Sequence, residues 1–155
     1  MTAAVLTAAL IMGPAATEPP QLVATSKETG AQPSAYTGKF YRAVDEGYRQ
    51  CVAYREGRHQ YWTTGSNGRY VGTYQFTRAL ARGAVYMMTK EWRDMYGPKT
   101  ARAMRDTLHS TDPTKWSRAV WDQAFWTVLN WKGPHSGRHH WAAQRSRCHA
   151  GMTAS

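Results

Sequence analysis

A chain of 155 residues has room for one compact domain with a single core plus a tail, and none for a second core. Lys and Arg number 20 against 10 Asp and Glu, a formal charge of +10 and a pI near 10.0, which point to a polyanionic partner or surface, nucleic acid and wall polymers alike. Seven Trp and nine Tyr beside three Phe suit both core packing and stacking on sugars or bases, so composition does not choose between those partners.

Residues 1–16 hold an apolar run from Ala3 to Met12, then Gly13-Pro14 and Ala15-Ala16. This is the h-region and cleavage site expected of a secretory signal, and the run is shorter than the ~20 apolar residues a membrane span requires. No positive n-region precedes it, so the alternatives are a signal whose true start differs and a plain apolar tail. Residues 17–35, rich in Pro, Thr, Ala, Gln and Ser, carry too little apolar bulk to offset their ordering entropy and are expected to be a disordered linker. The folded domain is then expected over residues 36–150. Cys51 and Cys148 bracket it. In an exported protein they would close one long loop, worth about 2–4 kcal/mol; the alternative is two buried thiols.

Phe40, Val44, Tyr48, Cys51 and Val52 fall on one face of a helix that Gly57 would end. Glu56 thus sits in the last turn, where the helix dipole disfavours an ionised carboxylate while Arg55 and Arg58 favour one. Tyr61 to Thr64 and Arg69 to Tyr74 are β-prone runs joined by Gly65-Ser66-Asn67-Gly68, a hairpin signal. Thr77 can cap a second helix through Ala79, Leu80, Val85 and Met88, with Gly83 a weak point, a break allowed near Thr89, and Gly97-Pro98 a firm stop. A short helix through Ala101, Met104 and Leu108 follows. Asp112-Pro113 predicts the start of a last helix to Asn130 that buries Trp116, Val120, Ala124 and Val128. Gly133-Pro134 ends it, and a basic loop runs on to Cys148. His135, His139, His140 and His149 include an i, i+4 pair, but Pro134 and Gly137 break helix there and no carboxylate or thiolate joins them, so no metal site is expected. No Gly-x-Ser-x-Gly elbow marks a serine nucleophile.

Helix, lone acid, hairpin, then Gly72-Thr73-Tyr74-Gln75-Phe76 at the entrance to another helix resembles the lysozyme-like superfamily, in particular the resuscitation-promoting factors and related actinobacterial transglycosylase-like domains. Cys51 precedes Glu56 as a cysteine precedes the family's catalytic glutamate. Arg69 to Thr77 resembles its aromatic-Gly-Gly-Leu-Gln-Phe segment, and Trp141 to Cys148 its closing Ala-Trp-Pro-x-Cys, whose cysteine pairs with the first. The chain departs from the pattern at Gly57-Arg58-His59, where Ser-Gly-Gly is usual, and in a longer middle from Arg82 to Thr114. The resemblance implies a mostly helical α+β lysozyme-like fold with a short hairpin beside the catalytic helix. It also implies cleavage of the β-1,4 bond between N-acetylmuramic acid and N-acetylglucosamine in peptidoglycan. Glycosidases usually employ two carboxylates about 5–10 Å apart. No second one is evident, since Asp45 and Glu46 lie about 15 Å up the same helix. One acid suffices in a lytic transglycosylase, where the substrate's N-acetyl group assists and its 6-hydroxyl attacks. Glu56 is accordingly expected to be catalytic, donating a proton and then removing one. Thr73 and Gln75 are expected to hydrogen-bond substrate, Trp62, Tyr70 and Tyr74 to stack on sugar rings, and Asn130 to face the cleft. The expected partners are peptidoglycan glycan strands and anionic wall polymers, with no specific nucleic acid, no transmembrane anchor in the mature form and no cofactor; the protein is expected to be a secreted, wall-associated monomer. The rival readings are a non-catalytic basic protein that binds wall or nucleic acid, and a phage-borne lysin of the same fold.

Overall fold

The computed structural model describes residues 18–144, 147 and 148, so the apolar N-terminal segment and His149 lie outside the described residues. The fold is α+β and mostly helical. In order come α1 (Glu46–Gly57), β1 (Thr64–Gly65), β2 (Tyr70–Val71), β3 (Phe76–Thr77), α2 (Arg78–Ser110) and α3 (Arg118–Asn130), with 3-10 turns at Ala43–Asp45, Pro113–Lys115 and Arg138–Gln144. The three strands form one antiparallel sheet in the order β1-β2-β3, with Thr64 opposite Val71 and Val71 opposite Phe76. Asn67 and Gly68 take the positive φ values, 59° and 83°, that the turn between β1 and β2 demands. The strands are shorter than the β-prone runs suggest, because turns take up Tyr61, Trp62 and Thr73 to Gln75, and a third strand forms from residues expected to lead only into the helix.

Several helix boundaries follow local chemistry. The Thr77 hydroxyl accepts from the Leu80 N–H at 3.1 Å and starts α2. Gly97, at φ 81° and ψ 164°, breaks α2 before Pro98, whereas the helix runs unbroken through Gly83 and Thr89. The last helix begins later than Asp112-Pro113 predicts. Asp112 does cap a turn, but that turn is a single 3-10 piece; Ser117 then accepts from Val120 N–H and α3 starts at Arg118. The first helix is likewise shorter, and Val44, placed on its buried face by spacing, is 63% exposed in the preceding 3-10 turn.

At the centre lies α3, buried at every position from Val120 to Asn130, which makes it the core around which the other elements pack. Phe125 is a hub within it, its ring 4.6 Å from that of Tyr74, 4.7 Å from Trp141 and 5.3 Å from Trp126. Beneath the aromatics runs a buried polar network. Asp122 accepts from Ala35 N–H (2.8 Å), Tyr61 hydroxyl (2.9 Å), Tyr74 hydroxyl (2.5 Å) and the Arg49 guanidinium (3.3 Å). Burial pushes the Asp122 carboxyl upward against the pull of Arg49 and its hydrogen-bond donors. Burial opposes the Arg49 charge too, but Tyr74, Glu46 and Asp122 more than hold it.

The stretch expected as a linker is a docked strap over its described part. Ala24 N–H donates to Lys115, Ser117 N–H to Leu22, Gly30 N–H to His59 and Tyr61 N–H to Glu28. Gln32 carbonyl accepts from Arg49, and Ser34 Oγ accepts from the Trp126 indole. Leu22 packs against the core, and the rest of the ordering entropy is met by backbone hydrogen bonds and buried polar partners, a contribution that composition does not register.

Candidate active site

Glu56 occupies the penultimate position of α1. The helix ends because Arg58 turns left-handed at φ 54°, directing its N–H and that of His59 back to the carbonyls of Tyr54 and Ala53. Gly57 is required just there: a Cβ on it would stand 2.5 Å from the Thr73 Cα and carbonyl oxygen. Thr73 completes the clamp by donating its hydroxyl to the Ala53 carbonyl at 3.1 Å. The Gly57-Arg58-His59 segment therefore fixes the end of α1 against the turn between β2 and β3, and the Arg58 guanidinium lies 4.7 Å over the Tyr54 ring.

That turn carries Gln75, a non-glycine residue held at φ 49°, which costs about 1 kcal/mol or more unless its surroundings impose it. Its backbone N–H and its side-chain Nε2 both donate to the Gly72 carbonyl, at 3.0 and 2.9 Å. The other end of the amide lies over Gly65, where any Cβ would collide with Oε1. Gly72, at φ 73°, has no room for a Cβ either, because the Trp121 indole stands 2.5 Å from where it would be.

These constraints leave a polar cleft of about 350 Å³ lined by Glu56, Ser66, Tyr70, Gln75, His140 and Trp141. Helix end, β1–β2 turn, β2 and the turn before β3 form one side. The other side comes from the C-terminal segment, held by Trp141, whose buried indole donates to the Tyr74 carbonyl at 3.0 Å, and by the disulfide between Cys51 and Cys148, with Cα atoms 5.6 Å apart. Burial and the neighbouring His139 hold the His140 imidazole below its ordinary value, which favours its neutral form. Among the described residues lining the cleft, Glu56 is the lone carboxylate. Away from the cleft, Asp45 binds Arg42 and His135, Glu46 binds Arg49, and Glu91 accepts from the Tyr36 hydroxyl, Lys39 N–H and Gln123.

Of the residues expected at the site, Glu56, Tyr70 and Gln75 share the cleft and four others do not. Thr73 is fully buried and clamps α1. Tyr74 is fully buried with its hydroxyl on Asp122, which burial and that carboxylate keep far from ionising. Asn130 is buried, donating to the Phe40 carbonyl at 2.8 Å and accepting from His135 N–H at 2.9 Å. Trp62 lines a different groove, beside the strap, where Lys27 stands 4.4 Å over its ring. In each case period-two alternation or a family position identifies an aromatic or amide but not which side of the turn it faces. Ser66, His140 and Trp141 line the cleft without having been expected there; the disulfide, which returns the C-terminal segment to α1, is the one sequence signal that could have placed the last two nearby.

His139 and His140 stack at 4.1 Å, but no three His, Cys, Asp or Glu side chains among the described residues are grouped to hold a metal. Nor is any helix among them long and apolar enough to cross a membrane. No family model, curated protein or solved structure matches this chain.

Proposed function

We propose that the protein is a peptidoglycan-cleaving glycosidase of lysozyme-like fold, acting on the β-1,4 bond between N-acetylmuramic acid and N-acetylglucosamine as a lytic transglycosylase. The observation that carries this reading is the position of Glu56, the one carboxylate among the described residues lining a polar cleft, at the end of a helix and beside a small antiparallel sheet. A two-carboxylate mechanism needs a partner about 5–10 Å from the acid, and no second carboxylate is among the described residues lining the cleft. One acid can perform both proton transfers when the sugar supplies the nucleophile. Glu56 gives its proton to the glycosidic oxygen as that bond breaks, and the substrate's N-acetyl group stabilises the anomeric carbon. The 6-hydroxyl then attacks that carbon while the Glu56 carboxylate accepts its proton, so the acid is regenerated and the product carries a 1,6-anhydro end. Tyr70 offers a ring face to the sugar, and the Gln75 amide, fixed by Gly72 and Gly65, offers a preset polar contact for an N-acetyl or hydroxyl group.

The basic surface suits binding to an anionic wall, and the disulfide suits an oxidising, extracytoplasmic compartment. A zymogram with embedded peptidoglycan tests the assignment: the wild type clears the gel, and Glu56→Gln gives no clearing while keeping the wild-type melting temperature. Clearing by the variant would refute it.

A further inference from the structure

The kink at Gly97-Pro98 gathers charges that a straight helix would keep apart. In an unbroken helix Lys90 and Arg102 would stand about 18 Å apart, and Tyr86 and Arg105 about 28 Å. Here the two halves of α2 fold back on each other, bringing the Tyr86 ring within 4.7 Å of His109. The result is a notch of about 220 Å³ with Lys90 and Arg93 on one wall and Arg102 and Arg105 on the other. No carboxylate is among its lining residues. Of the acids nearby, Glu91 is buried with Tyr36 and Gln123, Asp94 is exposed on α2 beside Arg93 but is not among the lining residues, and Asp106 pairs with Arg105 at 2.8 Å. Lys90, Arg93 and Arg102 are exposed. With the Lys90 ammonium 5.2 Å from the Trp131 ring centroid and Arg105 bridged to Asp106, Arg93 and Arg102 supply the charge of the notch from opposite walls, and both would attract a multivalent anion placed between them.

We infer that this notch at the α2 kink is a binding site for the phosphate groups of a polyol-phosphate polymer. Arginines from opposite walls can each present a planar fork to phosphate oxygens, a geometry that suits a tetrahedral dianion or a phosphodiester better than a lone carboxylate. The notch is a local hollow of about 220 Å³ between two helix halves rather than a long groove that tracks successive phosphates. Tyr86, 57% exposed and T-shaped against His109, is the single aromatic ring among the residues lining the notch, whereas single-stranded nucleic acid is held by a long basic groove with a succession of aromatic faces. No residue of the notch lines the Glu56 cleft, so the inference does not depend on the enzyme reading.

Binding of a soluble glycerol-phosphate polymer, measured by calorimetry at ~0.1 M salt with Glu56→Gln protein, tests it, with tripolyphosphate and an oligothymidylate as the other probes. The wild-type notch in this background should bind the polymer and tripolyphosphate. R93Q/R102Q should weaken polymer binding about tenfold or more, while R82Q/K99Q, which removes the same two charges from exposed positions of α2 outside the notch, should weaken it less than about threefold. R93K/R102K, which keeps the charge but loses the forks, should fall between them and serves as the test should the glutamine pair fail to fold. Equal losses in R93Q/R102Q and R82Q/K99Q, or no binding by the unmodified notch, would overturn the site. Tighter binding of the oligothymidylate that is lost in R93Q/R102Q would overturn the polyol-phosphate assignment in favour of nucleic acid.

Discussion

Replacing Asp122 by Asn probes the polar network that ties strap, α1, sheet and α3 together. The native carboxylate is fully buried and takes four donors: Ala35 N–H on one oxygen, and Arg49, Tyr61 and Tyr74 on the other. An amide has a single accepting oxygen. Turned toward the trio, it points its NH₂ at the Ala35 N–H; turned the other way, it points NH₂ at the guanidinium. Arg49, itself 1% exposed, also loses its fully buried counter-charge and keeps as its one anionic partner Glu46, whose side chain is 20% exposed, beside the neutral Tyr61 and Tyr74 hydroxyls and the Gln32 carbonyl. Breaking a buried pair from one side costs about 3–5 kcal/mol, a large share of the roughly 5–15 kcal/mol that holds a domain together. Urea titration at pH 7 should therefore show a loss of that size. In a double-mutant cycle with Arg49→Met, the second removal should cost about 2 kcal/mol less than it does alone. A loss under about 1 kcal/mol for D122N, or strict additivity with R49M, would refute the network as described.

Serine at both Cys51 and Cys148 opens a loop of sequence separation 97 and should lower stability by about 4–5 kcal/mol in urea titration, an effect that reductant reproduces in the wild type. Gln75→Gly relieves the positive φ while adding backbone entropy to the unfolded chain, so stability should stay within about 1 kcal/mol while wall-clearing activity falls about tenfold; undiminished activity would remove Gln75 from the site. Burial raises the Tyr36, Tyr61 and Tyr74 hydroxyls above the ordinary phenol value, with Glu91 adding to the shift in the first and Asp122 in the other two. Their contribution is intact below pH ~10 and is lost as the pH rises above it, by up to about 4 kcal/mol per pH unit for three groups, so phenolate absorbance should report them ionising together with unfolding rather than before it.

The parts of the fold that were legible from sequence are those set by chemistry within a few residues. Thr77 caps α2, Asn67-Gly68 makes the hairpin turn, and Gly97-Pro98 breaks the long helix, because hydroxyl reach, positive φ and a missing N–H act locally. What escaped is set at long range. The bond from Ala35 to Asp122 spans 87 residues, and that from Ser117 Oγ to Gln21 spans 96; nothing in a Pro- and Thr-rich stretch announces a partner so distant. The cleft divides the same way. Glu56, Tyr70 and Gln75 lie within 20 residues and could be read together as one helix end and one hairpin. Tyr74 looked like a platform because alternation puts an aromatic on a face without saying which face is the core, and Asp122 settles that from α3. His140 is brought to Glu56 by the disulfide and by Trp141, so a pattern read along the chain sees it only as one of a histidine cluster.

The most direct test is mass spectrometry of purified peptidoglycan digested with the wild type and with Glu56→Gln. The account predicts muropeptides with 1,6-anhydro ends from the wild type and none from the variant. Reducing ends would contradict the one-acid transglycosylase mechanism, and the absence of any product from folded wild-type protein would contradict the assignment of an enzyme.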